Sequence, residues 1–286
     1  MQTKKTLFLA AVPAVACVAA LGAGAPAAHA ADSWSFQADL GAVALNTPSG
    51  AASGHVMLTI TGDRATVSET VTGLADKLPT DKKTLDALGI PAAFAGAPYP
   101  HVQHIHIDGN GTCPTASADS NGDGVISTME GHPAYGMIGT TLSVKGATDA
   151  STATDVTKAP GGGSFTYKRT FTMNQDTLSA IKNHKAVVVV HGLNPATAPK
   201  ASVTTANSLG VTLPGADKKL ALIATAPALC GPLEASQMNT VPSGGVQTGG
   251  GGTSGVQDQG LFLGAGGLML AAGAVLTVRR RFGKQH

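Results

Sequence analysis

Short segments typical of β-strands, some of which alternate apolar and polar residues, constrain the fold of this chain most strongly, and polar or glycine-containing turns separate them. The segments cover residues 35–45, 55–61, 65–71, 102–107, 165–173, 186–190 and 219–225, and the segment 186–190 is continuously apolar. Side chains alternate between the two faces of a strand, so this pattern predicts β-strands with at least one buried face. Several short strands joined by polar turns favour an all-β sandwich or barrel.

Two short helices are predicted between the strands. The first covers residues 81–88, with Thr80 as its N-cap and Gly89 just past its end. The second begins after Asn174 and ends near Lys182. We find no internal repeat and expect residues 31–235 to form one domain of about 200 residues, a size acceptable for a single all-β unit.

Residues 1–30 have the pattern of a secretory signal peptide. Two lysines precede an apolar stretch that ends before an Ala-x-Ala site. We expect cleavage after Ala30, so the protein is predicted to be exported. A lipoprotein cut before Cys17 is the alternative, although the residues ahead of that cysteine match a lipobox poorly.

The C-terminal segment is predicted to attach the exported domain to the cell surface. Residues 236–259 have the composition of a flexible linker, and residues 260–278 form an uncharged apolar stretch of the length that crosses a bilayer. The basic tail, residues 279–286, is predicted to stay in the cytoplasm. This order resembles the C-terminal sorting regions of surface proteins from Gram-positive actinobacteria. No matching LPxTG pentapeptide occurs, so a membrane anchor and sortase transfer to the cell wall both stay open.

The charge distribution argues against nucleic-acid binding. The whole chain has a formal net charge of +2, but six of its basic residues lie in the two terminal segments. Residues 31–278 hold 13 Lys and Arg against 17 Asp and Glu, so the part predicted to be exported has a net charge of −4. No dense Lys/Arg run with interleaved aromatic residues is present.

Cys113 and Cys230 are the two cysteines that follow the signal segment. Two thiols in an oxidising compartment most often form a disulfide, which we expect here. Such a bond would stabilise the fold by roughly 4 kcal/mol on the chain-entropy model. A thiol-based metal or redox site is the alternative, but the wide separation of the cysteines and the lack of a Cys-x-x-Cys pair disfavour it.

Histidine spacing indicates a metal site. His104 and His106 are two residues apart on a predicted strand, so their imidazoles share one face and can reach one ion. His191 ends the apolar run, and His132 falls in a predicted loop. Three or four imidazoles from two strands and a loop suit copper or zinc. Any one of these histidines, taken alone, could instead be an ordinary polar residue of a strand or loop with no role in metal binding.

The order of these residues resembles the Cu/Zn superoxide dismutase family and its relatives, including CHRD-type domains of secreted proteins. The resemblance covers most of residues 53–232 and is carried by residues 71–74, His104-Ile105-His106, Cys113, Gly131-His132-Pro133, residues 188–191 and Leu229-Cys230-Gly231. It implies a Greek-key β-sandwich or barrel. It also implies a copper site formed by His104, His106, His132 and His191, with Cys113 bonded to Cys230.

Departures from the family pattern limit what the resemblance implies. No histidine occurs between His132 and His184, so the family's dedicated zinc ligands have no counterparts and a copper-only site is implied. Pro227 stands where the family has an arginine that attracts and orients superoxide. The net negative charge also disfavours steering of an anion. In addition, residues 75–99 form an insertion before the histidine strand.

Residues 119–130 match the twelve-residue EF-hand calcium loop position by position. The predicted Ca²⁺ ligands are Asp119, Asn121, Asp123, the carbonyl of Val125, Ser127 and Glu130. Residues 111–114 before the loop do not form an amphipathic helix, so we expect a single embedded loop with weak affinity, about 10⁻⁴–10⁻³ M, and a structural role. We also expect calcium to order the segment that presents His132. The alternative is an Asp/Asn/Gly-rich surface turn.

Three functional hypotheses follow from the sequence. The first is a secreted copper-only superoxide dismutase. The second is a non-enzymatic structural or adhesion module of the CHRD type, held by calcium and a disulfide. The third is a copper-binding domain without full dismutase activity, in which His101 and His184 are candidate additional ligands. The missing zinc ligands and arginine favour the last two, and the retained order of four histidines favours the first and third.

Overall fold

The computed structural model describes residues 32–46 and 51–236 of the 286-residue chain. These ranges contain nine strands: β1 (Ser33–Ala42), β2 (Ser53–Thr61), β3 (Arg64–Thr72), β4 (Gln103–Asp108), β5 (Gly136–Thr141), β6 (Phe165–Thr172), β7 (Val187–His191), β8 (Pro227–Pro232) and β9 (Glu234–Ala235). They also contain five short α-helices: α1 (Lys82–Leu88), α2 (Thr128–Tyr135), α3 (Gln175–Lys182), α4 (Lys200–Thr204) and α5 (Leu222–Thr225). The predicted signal peptide, apolar span and basic tail lie outside the described residues, as does nearly all of the predicted linker.

The strands form a curled antiparallel sheet in the order β5-β4-β7-β8-β1-β2-β3-β6, with β9 paired to β1. The prediction of an all-β fold is therefore confirmed. Within the described ranges, no helix is both long enough and apolar enough to span a bilayer.

Six of the seven predicted strands overlap observed strands, although β1 ends at Ala42, three residues earlier than predicted. The prediction of a strand over residues 219–225 was wrong, because Leu222–Thr225 forms α5. Leu222 and Ile223 are buried there, and a short apolar run fits a buried helical turn as well as a strand. The first helix begins one residue later than predicted, because Asp81 rather than Thr80 accepts the capping hydrogen bond from the Thr84 N–H (2.8 Å).

Helix α2 occupies a segment that we expected to be a loop. Ser127 accepts a hydrogen bond from the Glu130 N–H while the Glu130 carboxylate accepts one from the Ser127 N–H, which is a capping box. The helix contains Pro133 and ends at Tyr135, with Gly136 as its C-cap. His132 therefore lies on a helix, and β5 begins directly after it.

The core has two parts, and strand β7 lies between them. Val188 and Val190 belong to a large cluster with Leu58, Ile105 and Leu229. A smaller cluster contains Val43, Ile126, Tyr135, Val187, Val189 and Cys230. A strand that is buried on both faces has a continuously apolar sequence. This explains the run of valines before His191.

Candidate metal centre

Strands β4 and β7 bring His104, His106 and His191 onto one face of the sheet. The strands pair antiparallel, with His104 opposite Val189 and His106 opposite Val187. Paired residues share a face, and alternation along β7 places His191 on that face as well. This is the face covered by the smaller apolar cluster, whereas Ile105 belongs to the larger cluster on the other side.

The three imidazoles form a compact buried group. Their ring centroids are 5.2 Å apart for His104 and His191, 5.5 Å for His104 and His106, and 5.9 Å for His106 and His191. One ring nitrogen of each lies within 4.8 Å of the others. No side chain of the three is more than 3% exposed. In residues 32–46 and 51–236, this is the one group of at least three His, Cys, Asp or Glu side chains that has ligand geometry.

One nitrogen of each ring donates a hydrogen bond to a main-chain carbonyl. His104 Nε2 donates to Ala153 (3.0 Å) and His106 Nδ1 to Gly136 (2.9 Å), while His191 Nδ1 donates to Thr225 (2.7 Å). Because a carbonyl oxygen can only accept, these bonds fix which nitrogen carries the proton in each neutral ring. Metal-binding histidines in proteins are oriented in this way by a carbonyl or carboxylate behind them.

The second nitrogen of each ring has no hydrogen-bond partner. These atoms are His104 Nδ1, His106 Nε2 and His191 Nε2, all buried from solvent. A buried unpaired nitrogen costs roughly 1–3 kcal/mol of free energy unless something else satisfies it. Three such lone pairs in one group fit the coordination of a metal ion.

Burial keeps the three rings neutral. Desolvation lowers the pKa of His106 to about 3 and that of His191 to about 4. It also lowers the pKa of His104 well below its usual value, and a charge on either neighbouring histidine would lower it further. A neutral imidazole retains the lone pair that binds a metal ion. Three neutral imidazoles suit zinc or copper, so the residues present fit the metals expected from the sequence.

Helix α2 and the residue that follows it support His106. The ring of Tyr135 lies edge-on to His106 with centroids 4.6 Å apart, and the carbonyl oxygen of Gly136 orients the same histidine. Gly136 has φ +88°, and a Cβ at this position would clash with the carbonyl oxygen of Ile107. Glycine is therefore required where α2 passes into β5.

His132 lies outside the three-histidine group. It is partly exposed on α2, and its Nε2 lies 2.8 Å from Met137 Sδ. His101 is buried, but both of its ring nitrogens face carbonyl oxygens, those of Ala75 and His191. His184 is exposed, with Nδ1 3.4 Å from Glu234 Oε2. The structure thus brings together three of the four histidines expected to bind copper, and neither of the additional candidates joins them.

Cys113 and Cys230 form the expected disulfide. Cys230 lies on β8 opposite Val189 of β7 and belongs to the smaller apolar cluster. The bond therefore ties the segment that follows β4 to the strand beside β7. This segment leads into the calcium-loop motif and α2.

The calcium-loop motif forms a tightly hydrogen-bonded turn. Asp119 accepts from the N–H groups of Gly122, Asp123 and Gly124 at 2.9–3.2 Å. Glu130 Oε1 accepts from Ser120, and Asn121 and Asp123 each accept from an N–H two residues later. The carboxylates of Asp119, Asp123 and Glu130 do not form a three-ligand group among the described residues. Ile126 is fully buried, which anchors the turn in the smaller cluster.

Sequence reasoning missed the residues that orient the histidines. Ala153, Gly136 and Thr225 act through main-chain carbonyls, and any residue type supplies a carbonyl. The capping box at Ser127 and Glu130 was a usable signal for α2, but it overlaps the calcium motif. No family model matches the chain, and no curated protein matches it either.

Proposed function

We propose that this protein binds one transition-metal ion through His104, His106 and His191, and that this ion is copper(II). The observation that carries the proposal is the set of three buried nitrogens without partners, each on a ring that a carbonyl holds from behind. Copper(II) is the divalent first-row ion that nitrogen sites bind most strongly. A bound copper ion would supply one-electron redox chemistry.

The surroundings of the site support metal binding without full dismutase activity. The three rings are almost completely buried, which restricts the approach of a small anion. Pro227 lies opposite His191 in the pairing of β7 with β8, so no guanidinium is available at the position where the resemblance implies one. The alternative of a copper-only superoxide dismutase would require another cation to attract superoxide.

We also infer a relationship to Cu/Zn superoxide dismutases and CHRD-type domains, with a Greek-key arrangement of the sheet. The pairings of β3 with β6, β4 with β7 and β8 with β1 join strands that are not consecutive, which supports such an arrangement. A non-enzymatic structural or adhesion module on the same fold is the alternative, and the absence of tight metal binding would favour it.

Metal titration of the purified full-length chain tests the proposal. We expect one Cu(II) per chain to survive desalting, with Zn(II) bound more weakly. His106→Gln should lose at least about 100-fold in affinity, since loss of an outer-shell partner alone typically costs 10–100-fold. His55→Gln is the matched control, because His55 is exposed and pairs with Asp39 away from the site. Copper retention by His106→Gln at wild-type affinity would refute the site, and rapid superoxide consumption would favour the enzyme.

Calcium binding by the loop at residues 119–130 is a second proposal. It is supported by the turn geometry, in which Asp119, Asn121 and Asp123 accept backbone hydrogen bonds inside the loop. Glu130→Gln tests it well, because glutamine can still form the capping box while the charge is lost. Calorimetric titration with Ca²⁺ should give a Kd of about 10⁻⁴–10⁻³ M for the wild type and much weaker binding for the variant. Asp155→Asn, outside the loop, serves as the control.

We further propose that the domain is displayed outside the cell. The disulfide supports this location, since such bonds persist mainly in oxidising compartments. Protease treatment of intact cells should remove the domain, and fractionation of the cells should recover it with membrane or wall. Protection of the domain until the cells are lysed would contradict export.

A further inference from the structure

Two methionine side chains are exposed beside helix α2. Met129 and Met137 are 52% and 58% exposed, the two highest values among the exposed large apolar side chains of the described ranges. The other two methionines in those ranges are more covered, since Met57 on β2 is half-buried and Met173 is buried. Single exposed apolar residues are ordinary, but Met129 and Met137 are both neighbours of the same histidine.

His132 connects the two methionines into one surface cluster. Met129 and His132 are three residues apart on α2, and residues at this spacing are neighbours on the surface of a helix. Met137 lies on β5, and its Sδ atom is 2.8 Å from His132 Nε2. One imidazole and two thioether side chains are therefore close together in a region open to solvent.

These side chains form a soft set of donors. Thioether sulfur selects Cu(I) among the biological metals, whereas oxygen ligands suit calcium and magnesium. A thioether is only a weak hydrogen-bond acceptor, so the contact between His132 and Met137 is readily exchanged for coordination of an ion. A methionine side chain has three rotatable bonds, which allow both sulfur atoms to turn toward an ion held by His132.

We propose that Met129, His132 and Met137 form a second metal site, at the surface, that binds Cu(I). The site shares no ligand with the three-histidine group, for which we propose Cu(II). Gly136, whose carbonyl oxygen orients His106, directly precedes Met137, so the two sites are neighbours. Neither site requires the other, and failure of Cu(I) binding at the methionines would leave the three-histidine proposal standing.

Methyl NMR of the full-length chain, labelled at the methionine Cε carbons, tests the proposal. We expect anaerobic addition of Cu(I) to shift the signals of Met129 and Met137 and to leave those of Met57 and Met173 in place. Zn(II) should shift the Met129 and Met137 signals much less, since thioethers select Cu(I). The proposal is overturned if Cu(I) shifts neither signal, or if Zn(II) shifts them equally.

Substitutions separate this site from the three-histidine group. Met137→Leu keeps an apolar side chain of similar size but removes the sulfur. It should weaken Cu(I) binding, followed at the Met129 signal, by at least about 10-fold, the smallest usual effect of losing even an outer-shell partner. Met57→Leu is the matched control on β2 and should bind like the wild type. His191→Gln, which disrupts the three-histidine group, should keep the Met129 and Met137 shifts, with the Met173 signal reporting that the fold is intact.

Two results would show that no separate surface site exists. One is an equal loss of Cu(I) affinity in Met137→Leu and Met57→Leu. The other is loss of the methionine shifts in folded His191→Gln, which would assign the ion to the three-histidine group.

Discussion

Thr128 and His191 donate hydrogen bonds to the same oxygen atom, the carbonyl oxygen of Thr225. The Thr128 Oγ1 atom lies 2.6 Å from it and the His191 Nδ1 atom 2.7 Å. Thr128 is the first residue of α2, directly after the capping residue of the calcium-loop motif. The loop and the histidine group are therefore joined through one main-chain carbonyl, and this contact reaches the group at His191.

Removal of the Thr128 hydroxyl should weaken metal binding without abolishing it. Thr128→Val keeps the side-chain shape but leaves the Thr225 carbonyl with one donor fewer. We expect a loss of about 3–10-fold in copper affinity, below the usual 10–100-fold effect of outer-shell partners, because Thr128 contacts the carbonyl and not the ring. Competition with a chelator of known affinity measures it. Thr128→Ser keeps the hydroxyl and should bind like the wild type, whereas equal losses in both variants would exclude the hydrogen bond as the cause.

Replacement of His132 distinguishes a three-histidine site from a four-histidine site. Because His132 Nε2 contacts Met137 outside the group, His132→Gln should change copper affinity by less than about 3-fold. The same substitution at His191 should reduce affinity at least about 100-fold. If the His132 and His191 variants lose affinity equally, His132 joins the coordination when the ion binds.

Metal binding should stabilise the fold strongly. A ligand present at 1,000 times its Kd raises the free energy of unfolding by about 4 kcal/mol. For a domain of this size, that corresponds to a rise in Tm on the order of 10 °C. Calorimetry with and without copper measures the shift, and His104→Gln should show none. An equal shift in that variant would mean that the stabilising ion binds elsewhere.

Glu69 should make stability fall as the pH rises. It lies in β3 among inward-facing residues, it is 1% exposed, and neither carboxyl oxygen has a hydrogen-bond partner. The pKa of Glu69 is raised to about 8. Desolvation raises it, and the nearby Gln103 side chain lowers it by a smaller amount. The folded state therefore holds the proton more tightly than the unfolded state, whose pKa is about 4.3. The contribution to stability is complete below about pH 4 and is lost between there and pH 8.

Glu69→Gln should remove this pH dependence. The variant should match the wild type near pH 4 and exceed it at pH 8 by on the order of a few kcal/mol. Urea unfolding between pH 4 and pH 8 measures the free energy of unfolding of both proteins. Subtracting one from the other at each pH removes the contribution of the histidines, which both proteins share. Glu234→Gln, at an exposed position, should show no such trend. A constant difference between Glu69→Gln and the wild type at every pH would contradict the raised pKa.

The disulfide should support the metal site as well as the fold. Its loss typically costs 2–5 kcal/mol in small secreted domains. Cys113→Ala together with Cys230→Ala should also lower copper affinity, because the tethered segment leads to Tyr135 and Gly136, which contact His106. Unfolding and metal competition measured on the same double variant give both effects. Unchanged affinity in a destabilised variant would show that α2 holds His106 without the covalent tie.

Local patterns in the sequence predicted much of this structure. Alternation identified most of the strands, because the period of two follows from strand geometry itself. The His-x-His spacing placed His104 and His106 on one face for the same reason. Glu69 shows where the pattern was insufficient: it occupies an inward position between Val67 and Val71, and a polar residue gives no sign of burial in a sequence.

The sequence by itself determined the all-β class, the cysteine pair and the candidate histidines, since each depends on residue type and short-range spacing. The tertiary structure decided which histidines meet. His191 joins His104 and His106 because β7 pairs with β4, whereas the capping box starts a helix on which His132 contacts Met137 and stays outside the three-ligand group. The tertiary structure also decided which main-chain carbonyls orient the three imidazoles, namely those of Ala153, Gly136 and Thr225. Strand pairing and main-chain acceptors involve residues that are far apart in the sequence. They depend on the tertiary fold, which no local sequence pattern encodes.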